Sequence, residues 1–375
     1  MIGARTGRET RVTRIRSENV GSANRVSADV DGIPLWFEAD DLQLSAAPEA
    51  FGSALLLVSL HHRRKLVMEA PVSATWLENI QKLFPIWRDW WGYKPIMPEL
   101  VARPDVGADP PRAKALLFSA GVDSFYSVLN SPRHDFLVSA QGFDISLHDR
   151  ARMDDLRKSL TEASRLIDAQ PVVMRTNFRE HPVAGRGRLW ERIHGGVLAA
   201  FGHVLSERVG QLTISSSYGL KNPVPWGSSF ITDPFFSSDR IRITQYGAEM
   251  RREEKLPLIA HHPLVRKYLR VCWENRDGTI NCSRCGKCLM TMLTLAAAGA
   301  LDESEVFDDE EALIARLNST RFLWKHNNPM DRVVRSGKLH PRVAEAARKL
   351  VRRSRNARRI RELATRLTYV IDRYA

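Results

Sequence analysis

Residues 114–129 read KALLFSAGVDSFYSVL, and their pattern sets the frame for the rest of the chain. Ala115–Phe118 is a short apolar run, Ser119–Val122 is a small hydroxyl-bearing loop, and helical spacing begins at Asp123–Ser124. That order predicts a buried strand, a tight loop and a helix. A helix N-terminus presents unpaired backbone N–H groups and a positive dipole end, so the loop is placed to receive an anion. Neither G-x-x-x-x-G-K-[ST] nor G-x-G-x-x-G follows the strand, which sets aside the two familiar nucleotide motifs. Over six residues an ordinary serine-rich turn in a core would read the same way.

The chain beyond repeats the alternation. Asp135–Ala140 reads as a strand, Asp149–Ala169 as an amphipathic helix, Gln170–Arg175 as a strand and Trp190–Leu205 as an apolar helix. Gln211–Ser215 and Arg240–Gln245 read as further strands. This predicts an α/β fold, a doubly wound parallel sheet with right-handed crossovers. Ligands in such sheets bind beyond the carboxyl ends of the strands. Four segments fall there: the 119–124 loop, Gly142–Asp144, Arg175–Asn177 and the long aromatic stretch Ser215–Asp239.

A second signal is the cysteine spacing. Cys272, Cys282, Cys285 and Cys288 are all four cysteines of the chain and stand as C-x9-C-x2-C-x2-C. Tight knuckles of this kind aim their sulfurs at one centre, which suits tetrahedral Zn2+, with an iron–sulfur cluster or unligated buried thiols as alternatives. With every sulfur engaged, no thiol is left as a nucleophile or sulfur carrier.

The loop Ser119, Ala120, Gly121, Val122, Asp123, Ser124 resembles the SGGxDS loop of the ATP-pyrophosphatase (PP-loop) superfamily, with Ala120 in place of a glycine. The resemblance implies an adenine nucleotide alpha-hydrolase-like fold and ATP held by these six residues together with Phe143 and Asp144. Ser119, Asp123 and Ser124 would act catalytically, and Asp123 is suited to hold Mg2+. If position 120 takes a positive φ, alanine there costs about 1 kcal/mol. A PP-loop about 150 residues ahead of this cysteine cluster is similar to the 7-cyano-7-deazaguanine synthase branch. The similarity covers roughly Arg112–Leu301 and implies adenylation of a deazapurine carboxylate, release of pyrophosphate, and displacement of AMP by ammonia or another amine. It also implies a substrate-reading carboxylate in the Ser215–Asp239 stretch, for which Asp233 is the candidate, with Trp226 or Phe235 stacking on the ring. Arg192 and His194 are candidates to face phosphate, although a histidine on an apolar helix is more often a core residue.

The remaining sequence bounds the setting. The chain has 375 residues, 43% hydrophobic and 26% charged, enough for a sizeable core and two domains. No apolar run is long enough to span a bilayer and no secretory leader opens the chain, so a cytoplasmic location is expected; an arginine-rich opening makes a transit peptide the alternative. The net charge of +13 sits mainly in two tails, +4 over Met1–Arg16 and +8 over Pro341–Ala375. Such tails are commonly solvated helix faces, and they also suit RNA or an acidic protein partner. Three regions are expected: an N-terminal α+β module over 1–110, the ATP-binding domain with its zinc knuckle over 111–301, and a basic helical region over 302–375. In the first, Leu55–Leu60 reads as a strand, Ser73–Trp91 as a helix capped by Ser73, and His61–His62 as structural. The leading expectation is an ATP-dependent ligase working on a small carboxylate, in a homo-oligomer. Its rivals are a tRNA-modifying PP-loop enzyme and a non-catalytic nucleotide-binding partner.

Overall fold

The computed structural model describes residues 8–374 apart from 41, 106, 108, 186–188, 222, 276–277 and 324–326, and the side chains of 327 and 362–374 are likewise outside the description. Contacts divide the chain into two compact units. One runs to Ser119 and resumes over Ser127–Arg251; the other takes Ala120–Tyr126 and the described residues from Arg252 on.

The first unit opens with β1 (Glu9–Val20), β2 (Ala23–Val30) and β3 (Ile33–Asp40), then α1 (Pro48–His61), β4 (Lys65–Met68), β5 (Val72–Ser73), α2 (Ala74–Gln81), α3 (Leu83–Trp91) and β6 (Ala102–Arg103). It continues through β7 (Lys114–Leu117), α4 (Val122–Asn130, whose first turns belong to the second unit), β8 (Phe136–Gln141), α5 (Arg150–Leu166), β9 (Gln170–Thr176), α6 (Trp190–Val204), β10 (Gln211–Ser215) and β11 (Arg242–Tyr246). Nine strands form one mixed sheet in the order β11-β10-β7-β8-β9-β3-β2-β1-β4, and β5 pairs with β6 apart from it. From β11 to β9 every pairing is parallel, as the strand–helix alternation predicts. Numbered by appearance, those five strands run 5-4-1-2-3, so the order reverses at β7. Phe118 and Ser119 leave the carboxyl end of that switch-point strand.

The sheet also runs across the boundary expected at residue 110. Strand β3 pairs antiparallel with β9, with Phe37 opposite Thr176 and Ala39 opposite Met174. Side chains stitch this seam. Arg175 Nε donates to Glu38 (2.8 Å) and its Nη1 to Asp40 (2.9 Å), while Asn177 accepts from the Trp36 N–H (3.0 Å) and donates to the Pro34 carbonyl (2.9 Å). Arg175–Asn177, expected at a ligand edge, is therefore spent on strand pairing. The N-terminal strands are no separate module, because their apolar face (Val26, Ala28, Phe37, Ala39) belongs to the same core as Val138, Met174 and Ile214.

Helix α1 replaces the strand expected at Leu55–Leu60. Pro48 starts it at the position where a missing N–H is harmless, and twelve of its residues from Glu49 to Leu60 are buried. A helix covered on every side loses its amphipathic period, so LLLVSL imitates a buried strand. It lies against α6, where Gly195 and Gly196 allow two close approaches. A Cβ on Gly195 would stand 2.0 Å from the Gly227 carbonyl oxygen, and one on Gly196 2.2 Å from that of Ser53. The expected 73–91 helix is broken at Lys82 into α2 and α3; Ser73 caps it as predicted, accepting from the Trp76 N–H (3.2 Å), and Trp76 and Trp87 are core.

The second unit contains α7 (Arg252–Ile259), α8 (Pro263–Tyr268), α9 (Gly286–Ala297), α10 (Glu310–Ser319), α11 (Asn327–Arg335) and α12 (Pro341–Tyr374). Helix α9 packs on α7, α10 and α11, and α12 packs on α10 and α11. Val343, Ala347, Leu350 and Val351 are buried, whereas Ile360 is exposed. This unit begins fifty residues ahead of the expected division at 302, because α7 and the cysteine segment pack with the C-terminal helices. No helix among the described residues is long and apolar enough to cross a membrane.

Candidate functional site

Two sites predicted from sequence lie in the second unit. At the first, Ala120 is held in the left-handed region at φ 55, as a loop with glycine at that position would require. Ala120 is buried, and a residue with a Cβ in that region carries backbone strain. Ser124 donates its hydroxyl to the Gly121 carbonyl (3.0 Å), and Phe125 N–H reaches the same oxygen (2.9 Å), which closes the first turn of α4. Val122, Asp123 and Ser124 are buried, while Ser119, which belongs to the first unit, is exposed.

Asp123 departs from expectation. Arg252 Nε approaches one carboxylate oxygen at 3.1 Å, with its Nη2 on the same atom, and Lys255 Nζ lies 3.2 Å from the other. Lys255 is fully buried and also sits 5.5 Å above the Tyr126 ring. Burial pushes the Asp123 pKa up, but the Arg252 and Lys255 charges outweigh it and hold the carboxyl below its ordinary value. A carboxylate clasped by two cations does not fit an open Mg2+ ligand. The cations themselves, about 130 residues downstream in α7, carry no local motif, and sequence reading missed them.

The second site is the cysteine cluster. The four Sγ atoms lie within 4.8 Å of one another and all four residues are buried. Cys282 and Cys288 are 3.9 Å apart at sulfur, close to the roughly 3.8 Å that tetrahedral Zn–S bonds of about 2.3 Å require. The backbone supports the sulfurs: Cys285 N–H points at Cys282 Sγ (3.3 Å) and Cys288 N–H at Cys285 Sγ (3.5 Å), with Cys285 capping α9. Ser283, at φ 51, makes the turn between the knuckle thiols. Hydrogen bonding from the Cys288 thiol pulls Cys285 down to about 5, whereas the adjoining Cys285 pushes Cys288 up and burial pushes Cys282 up. Four soft, buried donors around one centre fit a thiophilic metal such as zinc. Asn281 braces them. Its Oδ1 accepts from Val271 N–H (2.9 Å) and Cys272 N–H (3.2 Å), and its Nδ2 donates to the Leu269 carbonyl (2.7 Å) and, at 3.3 Å, to that of Val306.

The candidates in the first unit are otherwise employed. Asp233 is fully buried; one oxygen accepts from Ser229 N–H (3.0 Å), the other from Ser228 Oγ (2.7 Å) and Gln245 Nε2 (2.6 Å). Burial raises its pKa to about 6. These contacts organise its loop and tie it to β11. Trp226 is half-buried between the rings of His194 and Tyr218, each at 5.6 Å. Phe143 packs on Trp190 and Phe201, and Asp144 is exposed. His194 bonds the Trp190 carbonyl through Nδ1 (2.9 Å), and Arg192 donates to Tyr93 Oη (2.9 Å). His61 pairs with Tyr93 Oη at 2.7 Å, in keeping with a structural role. A hollow of about 330 Å³ is lined by Glu49, Arg103, His203 and Arg240, and Arg103 there bridges Glu49 and Asp239.

Comparison with protein-family models, with curated proteins and with solved structures returns no match.

Proposed function

We propose that this chain is an ATP-dependent adenylating ligase of the kind that the 7-cyano-7-deazaguanine synthase branch represents, on an adenine nucleotide alpha-hydrolase-like sheet. The observation that carries the reading is the left-handed Ala120 loop at the N-terminus of α4, with Arg252 and Lys255 at its first turn. In this reading Gly121–Ser124 N–H groups and the α4 dipole receive the ATP phosphates. Arg252, partly exposed, supplies the cationic partner in place of an ion on Asp123. A carboxylate oxygen of the substrate attacks the α-phosphorus, the bond to the β-phosphate oxygen breaks, and pyrophosphate leaves. The amine nitrogen then attacks the acyl carbon and AMP departs. Zinc, if held by the four thiolates, has no open position and serves structure alone.

The test is pyrophosphate release from ATP with deazapurine carboxylates, with and without ammonia. Acid-dependent release that falls at least about 100-fold in Arg252→Ala supports the reading. No release with any acid, while ATP still binds, overturns it in favour of a non-catalytic nucleotide-binding partner.

One observation favours a second reading, in which the acceptor is RNA. Arg348, Arg352 and Arg359 are exposed at i, i+4 and i+11 on α12 and form one cationic stripe, with Arg355 between them paired to Asp331 (2.7 Å). RNA retention should then fall steeply with salt; retention that is absent or indifferent to salt removes this reading.

A further inference from the structure

We propose that the metal knuckle sets the conformation of the 120–124 loop, and that Asn281 is the positioning residue between them. The proposal extends the phosphate-site reading above but is testable apart from it.

Ala120 is strained by about 1 kcal/mol in its left-handed backbone and needs a partner to hold it there. The partner is backbone: the Arg270 N–H donates to the Ala120 carbonyl at 2.8 Å. Arg270 stands between two residues that Asn281 grips, Leu269 through its carbonyl and Val271 through its N–H. Asn281 also takes the N–H of Cys272, a metal ligand, and itself directly precedes Cys282, another. A single buried amide therefore staples two of the four cysteine arms together, and the residue enclosed by the staple clasps the loop. Its donor and acceptor atoms are all engaged, and a buried amide so committed has one orientation.

Closing four thiolates on one ion fixes the spacing of those arms. Opening them releases Leu269–Cys272 and with it the N–H that keeps Ala120 left-handed. An anion site made of backbone N–H groups binds only in proportion to the time those groups already point together. The metal thus prepares a phosphate site without touching phosphate. Lys255 and Arg252 hold the other end of the segment through Asp123, so the release is confined to the Ala120 side.

The full chain would be compared zinc-loaded, chelator-stripped and reloaded by hydrogen exchange. Peptides covering 119–126 should exchange at least about ten-fold faster once stripped and recover on reloading, while β8 and β9 stay unchanged. Inorganic pyrophosphate, followed by calorimetry, should bind at least about ten-fold more weakly to the stripped form. Should stripping melt the helices from α7 to α12 together, Asn281→Ala at saturating zinc carries the test: it should keep its metal and still show the fast loop exchange. Wild-type exchange at 119–126 in the folded, stripped chain, or in zinc-bound Asn281→Ala, overturns the proposal. Loop exchange that follows the metal while pyrophosphate binds neither form upholds the coupling and removes the phosphate-site reading instead.

Discussion

Asp123 and Asp233 are both buried aspartates, and their surroundings drive them in opposite directions. Asp123 lies between two cations in the second unit, and its carboxyl is held below the ordinary value. Asp233 lies among hydroxyl, amide and backbone donors in the first, and burial lifts it to about 6. Neutral donors stabilise a carboxylate less than full charges do, so desolvation wins at 233 and loses at 123. The first arrangement keeps charge at a helix N-terminus in a form that a stronger anion could take over. The second ties a loop to β11.

The largest test of this contrast is Asp123→Asn. It leaves Lys255 buried without a counter-charge and should cost about 3 kcal/mol in urea unfolding, more than the partly exposed Arg252 alone would explain. Asp123→Asn with Lys255→Met should recover part of that loss; no recovery would mean the pair is not the cause.

Asp233→Asn should cost less, about 1–2 kcal/mol, since the site keeps one acceptor. Its clearer mark is on pH dependence. A carboxyl raised from 3.8 to about 6 on folding gives stability that is complete below 3.8 and lost as pH rises through about 6. Urea midpoints of the wild type should show this decline, up to about 3 kcal/mol, and those of Asp233→Asn should not. For Asp123 the sign is reversed: its depressed value adds stability above 3.8 that is lost on further acidification.

The smallest expected effect is that of Ala120→Gly. Relief of the left-handed strain, set against loss of a buried methyl, should raise the thermal midpoint by about 1–3 °C. A fall would show that the methyl contacts matter more than the backbone.

The parallel half of the sheet, the loop at 119–124 and the thiol cluster were legible in the sequence because each is encoded locally, by period, by turn chemistry or by spacing. What escaped is encoded at a distance. Nothing near Ile33–Asp40 says that its partner is β9, and nothing near Asp123 points to Arg252 and Lys255. Helix α1 escaped for another reason, since burial on all sides erased its period. Asp233 escaped because a carboxylate before a proline looks alike whether it faces a ligand or its own loop; the neighbours that fill its oxygens, Ser228 and Gln245, include one on a separate strand.

The bare pair at 195 and 196 has a consequence for how this protein can diverge. With one carbonyl pressed to each position, a methyl added at 196 would push α1 away from α6, and one at 195 would displace the loop at Gly227. A side chain added at an open surface position meets only solvent, whereas those two sites admit almost no added atom. Distant kin should therefore be traceable by two adjacent vacancies in a helix long after the rest of the text has been rewritten.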